Sequence, residues 1–171
     1  MSVVSTIVSP SAMSRRGLFR RLARTSTVEA VRPPHAAGEA EFLTVCDRCG
    51  DCVAACASGI IVMSGGYPEV TFSHAGCDLC GDCARACPTA ALDAARPAGA
   101  AWSHGIAIGD DCLSAQGVLC RVCGEHCEAG AIRFRPAVGG RSRPELDAAA
   151  CTGCGACVAP CPAGAVAVTF A

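Results

Sequence analysis

The chain has 171 residues, sixteen of them Cys, against one Trp, one Tyr and five Phe, so its core is thin and a staple of cysteine chemistry is expected. No stretch approaches the ~18 consecutive apolar residues of a membrane helix, and there is no dinucleotide fingerprint, phosphate-binding P-loop or Cys-x-x-Cys-His haem site. A net charge of −1 hides an asymmetry: residues 1–40 carry six Arg against two Glu, leaving +4, and residues 41–171 carry eight Arg against thirteen acidic residues, leaving −5.

The N-terminal arm holds Ser14-Arg15-Arg16-Gly17-Leu18-Phe19-Arg20, which looks like a twin-arginine export signal. Such a signal needs an apolar stretch next, whereas Arg21-Leu22-Ala23-Arg24-Thr25-Ser26-Thr27 follows, polar and charged. The arm therefore reads as a basic, partly helical segment with Ser14 as N-cap and Leu18 and Leu22 one turn apart. Arg15, Arg16, Arg20 and Arg21 are its candidate contacts to an acidic partner or to anionic lipid. Residues 25–40, with Pro33-Pro34, read as a flexible linker, so residues 1–41 are expected to be a largely disordered arm and linker.

The cysteines then come in four runs of four. The first is Cys46-x2-Cys49-x2-Cys52-x3-Cys56 and the second Cys77-x2-Cys80-x2-Cys83-x3-Cys87, followed by Pro88. The third is stretched, Cys112-x7-Cys120-x2-Cys123-x3-Cys127, and the fourth is Cys151-x2-Cys154-x2-Cys157-x3-Cys161, followed by Pro162. The first, second and fourth match the bacterial ferredoxin run that binds [4Fe–4S] clusters. Two residues between thiolates let one tight loop wrap three corners of a cubane, and small residues such as Gly50, Gly81, Gly153 and Gly155 let the backbone approach. A disulfide scaffold suits neither the regular triplets nor a chain without a cleavable secretory signal. Zinc prefers two Cys-x2-Cys pairs about 12–20 residues apart, without a third Cys two residues later. The insertion from Leu113 to Leu119 leaves the third run with two readings: an external loop with Cys112 still a ligand, or an incomplete site. At least three [4Fe–4S] clusters are thus expected, and four if the third run is complete.

The segments between runs repeat. Gly59-Ile60-Ile61-Val62-Met63, Ser64-Gly65-Gly66 and Tyr67 to Phe72 lead to Cys77, and Ala131 to Arg135, Val138-Gly139-Gly140 and Pro144-Glu145-Leu146 lead to Cys151. Each reads as strand, Gly-Gly turn, strand. Ile132-Arg133-Phe134-Arg135 alternates as a half-buried strand should, and Val166-Ala167-Val168-Thr169-Phe170 closes the chain as another strand. The expected fold is α+β: two tandem bacterial 2[4Fe–4S] ferredoxin-like units, β-hairpins and short helices packed around clusters, after the flexible basic arm. The units span 42–95 and 107–171, joined by a linker over 96–106 in which Trp102 is expected to dock the units together.

In two-cluster ferredoxins the fourth Cys of each run ligates the other cluster. Crossed sets follow: Cys46, Cys49, Cys52 and Cys87; Cys77, Cys80, Cys83 and Cys56; Cys151, Cys154, Cys157 and Cys127; and Cys112, Cys120, Cys123 and Cys161. Ligation of each fourth Cys within its own run stays open at this point. His35, His74, His104 and His126 read as surface residues rather than ligands, with His126 placed to tune the cluster of its loop. No nucleophile–base pair or open metal site stands out, so a catalytic constellation is not expected.

The chain resembles the NapF family, the cytoplasmic ferredoxin-type accessory proteins of periplasmic nitrate reductase systems. The resemblance covers about residues 14–171 and rests on Ser14-Arg15-Arg16-Gly17, Arg32-Pro33-Pro34, Phe42-Leu43-Thr44 and Gly65-Gly66-Tyr67-Pro68. More specific is the stretched third run: Asp111-Cys112-Leu113 with Gln116, then Cys120-Arg121 and Cys127-Glu128. It implies a cytoplasmic iron–sulfur protein that is not an enzyme and has no nucleic-acid partner. Its partner would be the catalytic subunit precursor of nitrate reductase, whose own [4Fe–4S] cluster it would help to mature before export. Contact with the membrane would be peripheral at most. The other function compatible with the residues is that of a polyferredoxin electron carrier feeding a membrane-linked or nitrate-reducing oxidoreductase.

Overall fold

A computed structural model describes residues 30–96, 102, 104–139 and 141–170. Its elements are α1 (Glu39–Val45), α2 (Asp51–Ala54), β1 (Ile61–Ser64), β2 (Tyr67–Val70), α3 (Asp82–Arg85), β3 (His104–Ile108), α4 (Val122–Glu125), β4 (Ile132–Ala137), β5 (Arg141–Leu146) and β6 (Val166–Phe170). The strands form three antiparallel pairs, β1–β2, β3–β6 and β4–β5. The helices other than α1 are single turns that carry the third Cys of a run.

Each half closes in the same way. A central hairpin, β1–β2 or β4–β5, lies between two Cys runs, with Ile61 opposite Val70 in the first and Ile132 opposite Leu146 in the second. The start of each half then pairs with its end. In the second half this is β3 on β6, from His104↔Phe170 to Ile108↔Val166. In the first it shrinks to one bridge, Ala36↔Leu92, flanked by the Ala37 amide on the Ala91 carbonyl (2.9 Å) and the Asp93 amide on His35 (3.0 Å).

Both expected linkers are therefore shorter than the sequence suggests. Residues 30–38 pack onto the first half, where Val31, Pro33, His35 and Ala36 are buried, and the Val31 carbonyl accepts the Val70 amide at 2.7 Å. Arg32 anchors the entry to α1: its Nε and Nη2 donate to the Glu39 carboxylate at 2.9 and 2.7 Å, and Nη1 donates to the Pro68 carbonyl at 3.0 Å. Its guanidinium also lies 5.0 Å from the centre of the fully buried Phe42 ring. At the second junction, strand β3 begins at His104, inside the span expected as linker up to residue 106.

The core has two centres. Phe42, Ile60, Ile61, Val70, Phe72 and Leu92 fill the first half, and Ile106, Ile132 and Val166 fill the second. They meet along a seam. Trp102, Val158, Val168 and Phe170 pack against the first core. The Phe72 ring stands 6.0 Å from Trp102 and 5.6 Å from His104, which meets Trp102 edge-on at 4.5 Å. Trp102 thus sits between the units, as expected. His35 and His104 depart from the surface reading, being only 8% and 7% exposed. His104 is buried at the seam, where it faces the Phe72 ring while its Nε2–H donates to the Gly153 carbonyl at 2.8 Å within its own half. His35 is buried because a left-handed backbone (φ 69°) turns its ring inward to bond the Arg96 carbonyl through Nδ1. His74 and His126 are exposed.

Candidate iron–sulfur sites

The loops that carry the thiols are built by a repeated backbone device. In the first run Arg48 and Gly50 have φ of +63° and +85°. In the second, Leu79 and Gly81 at the same offsets have +53° and +78°, and in the fourth Gly153 and Gly155 have +73° and +71°. A left-handed residue before and after the second Cys curls the chain tightly around one point. L-residues such as Arg48 and Leu79 adopt that region only at a cost of order 1–3 kcal/mol, so the surrounding structure holds them there. The third run lacks the device: Arg121, the counterpart of Gly50, has φ −135°.

The insertion takes over its role. Residues 113–119 form a compact turn in which the Gln116 amide donates to Cys112 (3.1 Å) and the Val118 amide to Leu113 (2.9 Å). Ser114 is almost fully buried. Its hydroxyl lies 2.6 Å from the Ser142 carbonyl and 2.8 Å from the Ser142 hydroxyl, pinning the turn to β5.

Four cavities result, each lined by four cysteines. Cys46, Cys49, Cys52 and Cys87 line the first, with about 300 Å³ of empty space. Cys56, Cys77, Cys80 and Cys83 line the second, about 350 Å³. The third, about 310 Å³, has Cys127, Cys151, Cys154 and Cys157. The fourth, about 330 Å³, has Cys112, Cys120, Cys123 and Cys161. Every Cys of the chain belongs to one quartet, all sixteen are free thiols, and every quartet is crossed, combining one run's fourth Cys with three from its neighbour. The walls are otherwise apolar, for example Ile108, Leu113, Val122 and Phe134 around the fourth. Among the described residues no three His, Cys, Asp or Glu side chains gather as they would around a single ion; the thiols ring a space instead of meeting at a point.

Burial pushes the Cys52 and Cys77 thiols up to about 11 and those of Cys83 and Cys157 up to about 12. Cys123 shifts the same way for the same reason. Neighbours within each quartet add to the effect: Cys46, Cys49 and Cys87 act on Cys52, and Cys127, Cys151 and Cys154 on Cys157. At neutral pH such thiols keep their protons, and four thiolates around one apolar cavity need cations between them. All-sulfur donors suit zinc or iron–sulfur clusters; since the thiols do not gather around a single ion, a cubane, which offers four iron corners to four thiolates, is the group they match. The residues fit the group.

A family model for the 4Fe-4S dicluster domain matches residues 45–91 and 118–165. The ferredoxin-type protein NapF of Escherichia coli K12 is 40% identical over 158 residues, covering 92% of this chain and 94% of that one. NapF of Haemophilus influenzae is 44% identical over 137 residues, covering 80% and 77%. The chain belongs to the ferredoxin-type NapF family. Its two dicluster domains carry four [4Fe–4S] clusters between them. The methylamine utilization ferredoxin-type protein MauM of Paracoccus denitrificans is also similar, at 36% identity over 165 residues, 86% of this chain and 74% of that one. No solved structure matches the chain.

The second dicluster match begins at residue 118 and so leaves Cys112 outside it. The fold nonetheless brings Cys112 into the fourth quartet. Arg15, Arg16, Arg20 and Arg21, and the helical turn expected around Ser14, lie outside the described residues. Among the described residues no helix is long and apolar enough to cross a membrane. The sequence reading missed the buried seam histidine, His104, and the four outward arginines of β4 and β5. The alternation of Arg133 and Arg135 was the available signal for the latter.

Proposed function

We propose that the four quartets are the ligand sets of the four clusters, Cys112 included. We further propose that the protein serves in the cytoplasm as an iron–sulfur accessory protein in maturation of the catalytic subunit of a periplasmic nitrate reductase before its export. Similarity to ferredoxin-type NapF proteins over nearly the whole chain carries the reading. The Arg15-Arg16 arm is its candidate contact to that precursor. A strain lacking the gene tests it: the subunit should accumulate with its own cluster missing and its activity lost, and fully active, cluster-loaded subunit at normal level would overturn the proposal.

A second reading, an electron carrier, draws on the seam. The Cys77 amide donates to the Cys154 carbonyl at 2.7 Å, joining the loops of the second and third quartets directly. With crossed ligation inside each half, this arrangement supports one continuous series of centres. Stopped-flow reoxidation separates the readings. Turnover within the catalytic time of the acceptor enzyme favours the carrier, and slower reoxidation removes it.

A further inference from the structure

The two central hairpins both set an Ile opposite an apolar residue at their base, Ile61↔Val70 and Ile132↔Leu146, but differ in their outer faces. In β4–β5 the inward residues are Ile132, Phe134 and Pro136 with Leu146, Pro144 and Ser142. The outward pairs are Arg133↔Glu145, Arg135↔Arg143 and Ala137↔Arg141. Four arginines and one Glu therefore share a single exposed face of net charge +3, on a body that carries −5 over residues 41–171. In β1–β2 the matching outward pairs are Val62↔Glu69 and Ser64↔Tyr67, with no basic residue. The same hairpin forms without the arginines, so strand pairing does not account for them, although the Arg141 side chain lies against Gly117 of the insertion.

Nor does stability. Like charges directly opposite one another on a sheet are destabilising, and Arg135 faces Arg143. Of the four, only Arg135 has an ion-pair partner among the described residues, Glu145 at 2.5 Å. Arg121 adds a fifth guanidinium nearby, 5.5 Å from the centre of the Phe134 ring on the other side of the hairpin. Large apolar side chains flank this part of the second half: Val138 at the hairpin tip is 97% exposed, and Leu119, at the end of the insertion that Ser114 fastens to β5, is 87% exposed.

We propose that the outer face of β4–β5, with Val138 and Leu119 beside it, is a docking surface for an acidic protein partner that contributes apolar side chains between its carboxylates. Arg and exposed apolar groups together suit a protein interface, and the fork of Arg pairs carboxylates in two parallel bonds. A long polyanion suits it less: nucleic acid or an anionic bilayer would extend past this patch onto the acidic remainder of the body. The inner side of the hairpin contributes Phe134 to the wall of the fourth cavity, so the docked partner lies beside that quartet. The surface stands whichever role the centres play.

The test uses the full chain loaded with its clusters and a labelled Asp/Glu-rich peptide with interspersed Leu, measured by fluorescence anisotropy. Wild type should bind it, with affinity falling as salt rises. Substituting Arg133, Arg135, Arg141 and Arg143 by Ser should weaken binding about tenfold or more, with cluster absorbance unchanged as the check on folding. Arg85→Ser, distant from the hairpin in sequence and exposed, should leave binding as it was. The four arm substitutions Arg15→Ser, Arg16→Ser, Arg20→Ser and Arg21→Ser, made together, separate the arm's share. No binding by wild type, binding unaffected by the hairpin substitutions, or hairpin-dependent binding that is tighter to duplex DNA or to phosphatidylglycerol vesicles would each overturn the proposal. Self-association of wild type that the hairpin substitutions abolish would make a second copy the occupant and overturn it likewise.

Discussion

Gly76→Ala probes the seam where it is tightest. A Cβ at residue 76 would lie 2.5 Å from Cα, 2.6 Å from N and 2.7 Å from Cβ of Ala156. Carbon atoms in good contact stand about 3.5–4.0 Å apart, so the added methyl overlaps three atoms by about 1 Å each. Ala156 cannot step aside cheaply. Its neighbour Gly155 is pressed against the Phe72 ring with φ +71°, and Cys157 on the other side is a buried quartet member. Opening the seam also stretches the adjoining 2.7 Å bond from the Cys77 amide to the Cys154 carbonyl. Overpacking costs about 1–3 kcal/mol and the hydrogen bond about 1 kcal/mol, together about 2–4 kcal/mol. At 1.4 kcal/mol per factor of ten, the seam should open on the order of 30- to 1,000-fold more often. Hydrogen–deuterium exchange of the loaded protein, read on peptides covering 70–78 and 152–158, measures this. Both should exchange faster, while the peptide over α1 stays near wild type. Gly38→Ala, whose Cβ would meet nothing within 4 Å, gives the scale of a sterically free change. Wild-type exchange at both seam peptides in Gly76→Ala would refute the packing of the two halves described here.

Three further outcomes follow from the site. Cys112→Ala should lower bound iron and sulfide by about a quarter, as the fourth quartet, left with three thiolates, fails to retain its cluster; unchanged iron would remove Cys112 from the ligands. Ser114→Ala should cost about 1–3 kcal/mol by leaving the Ser142 groups without their partner and speed exchange over 112–119, and exchange unaltered there would show that the insertion holds itself. His104 gives a pH dependence. Burial lowers its pKa below the ordinary value, so the fold favours the neutral ring; its contribution is complete above about pH 6.5 and is lost as pH falls through the lowered folded value. His104→Gln keeps a donor for Gly153 but does not titrate, so between about pH 7 and pH 5 wild type should lose more thermal stability than the variant, and parallel losses would sink the argument.

What the sequence discloses follows from how locally each feature is encoded. The Cys runs, the Gly-Gly hairpins and the alternation of Ile132 to Arg135 depend on near neighbours in the chain, and the structure has them where the pattern put them. The crossing of the quartets was only half legible: the ferredoxin run suggests it, but ligation of each fourth Cys within its own run stayed open until the cavities showed which thiols line them together. Residues 30–38 were not legible. Their Pro and Ala content reads as a linker, and only the distant partners Val70 and Leu92 turn them into the edge of a unit. His104 was placed in a linker for the same reason: its strand exists only against Phe170. The third run left two readings open because the residue that completes it, Ser114, acts through Ser142 on a strand still to come.

The internal repeat makes it possible to separate what the fold requires from what it merely permits. Where the halves meet, the requirement is closeness, and small residues meet it: Gly76 on one side, Gly155 and Ala156 on the other, all within or beside Cys runs. A larger residue at any of them would force apart the loops that hold the second and third quartets. On the hairpins the requirement ends at the inner face, where Ile61 and Val70 in one half answer to Ile132 and Leu146 in the other. The outer faces diverge: Tyr67 of the first packs against Phe42 and Arg48, whereas the second presents Arg133 and Arg135 to solvent. A duplicated unit that keeps its crossed quartets while changing one Cys run and one outer face can acquire a distinct surface without disturbing its centres. That difference between the hairpins, more than any feature the two halves share, is where a property peculiar to the second half must be sought.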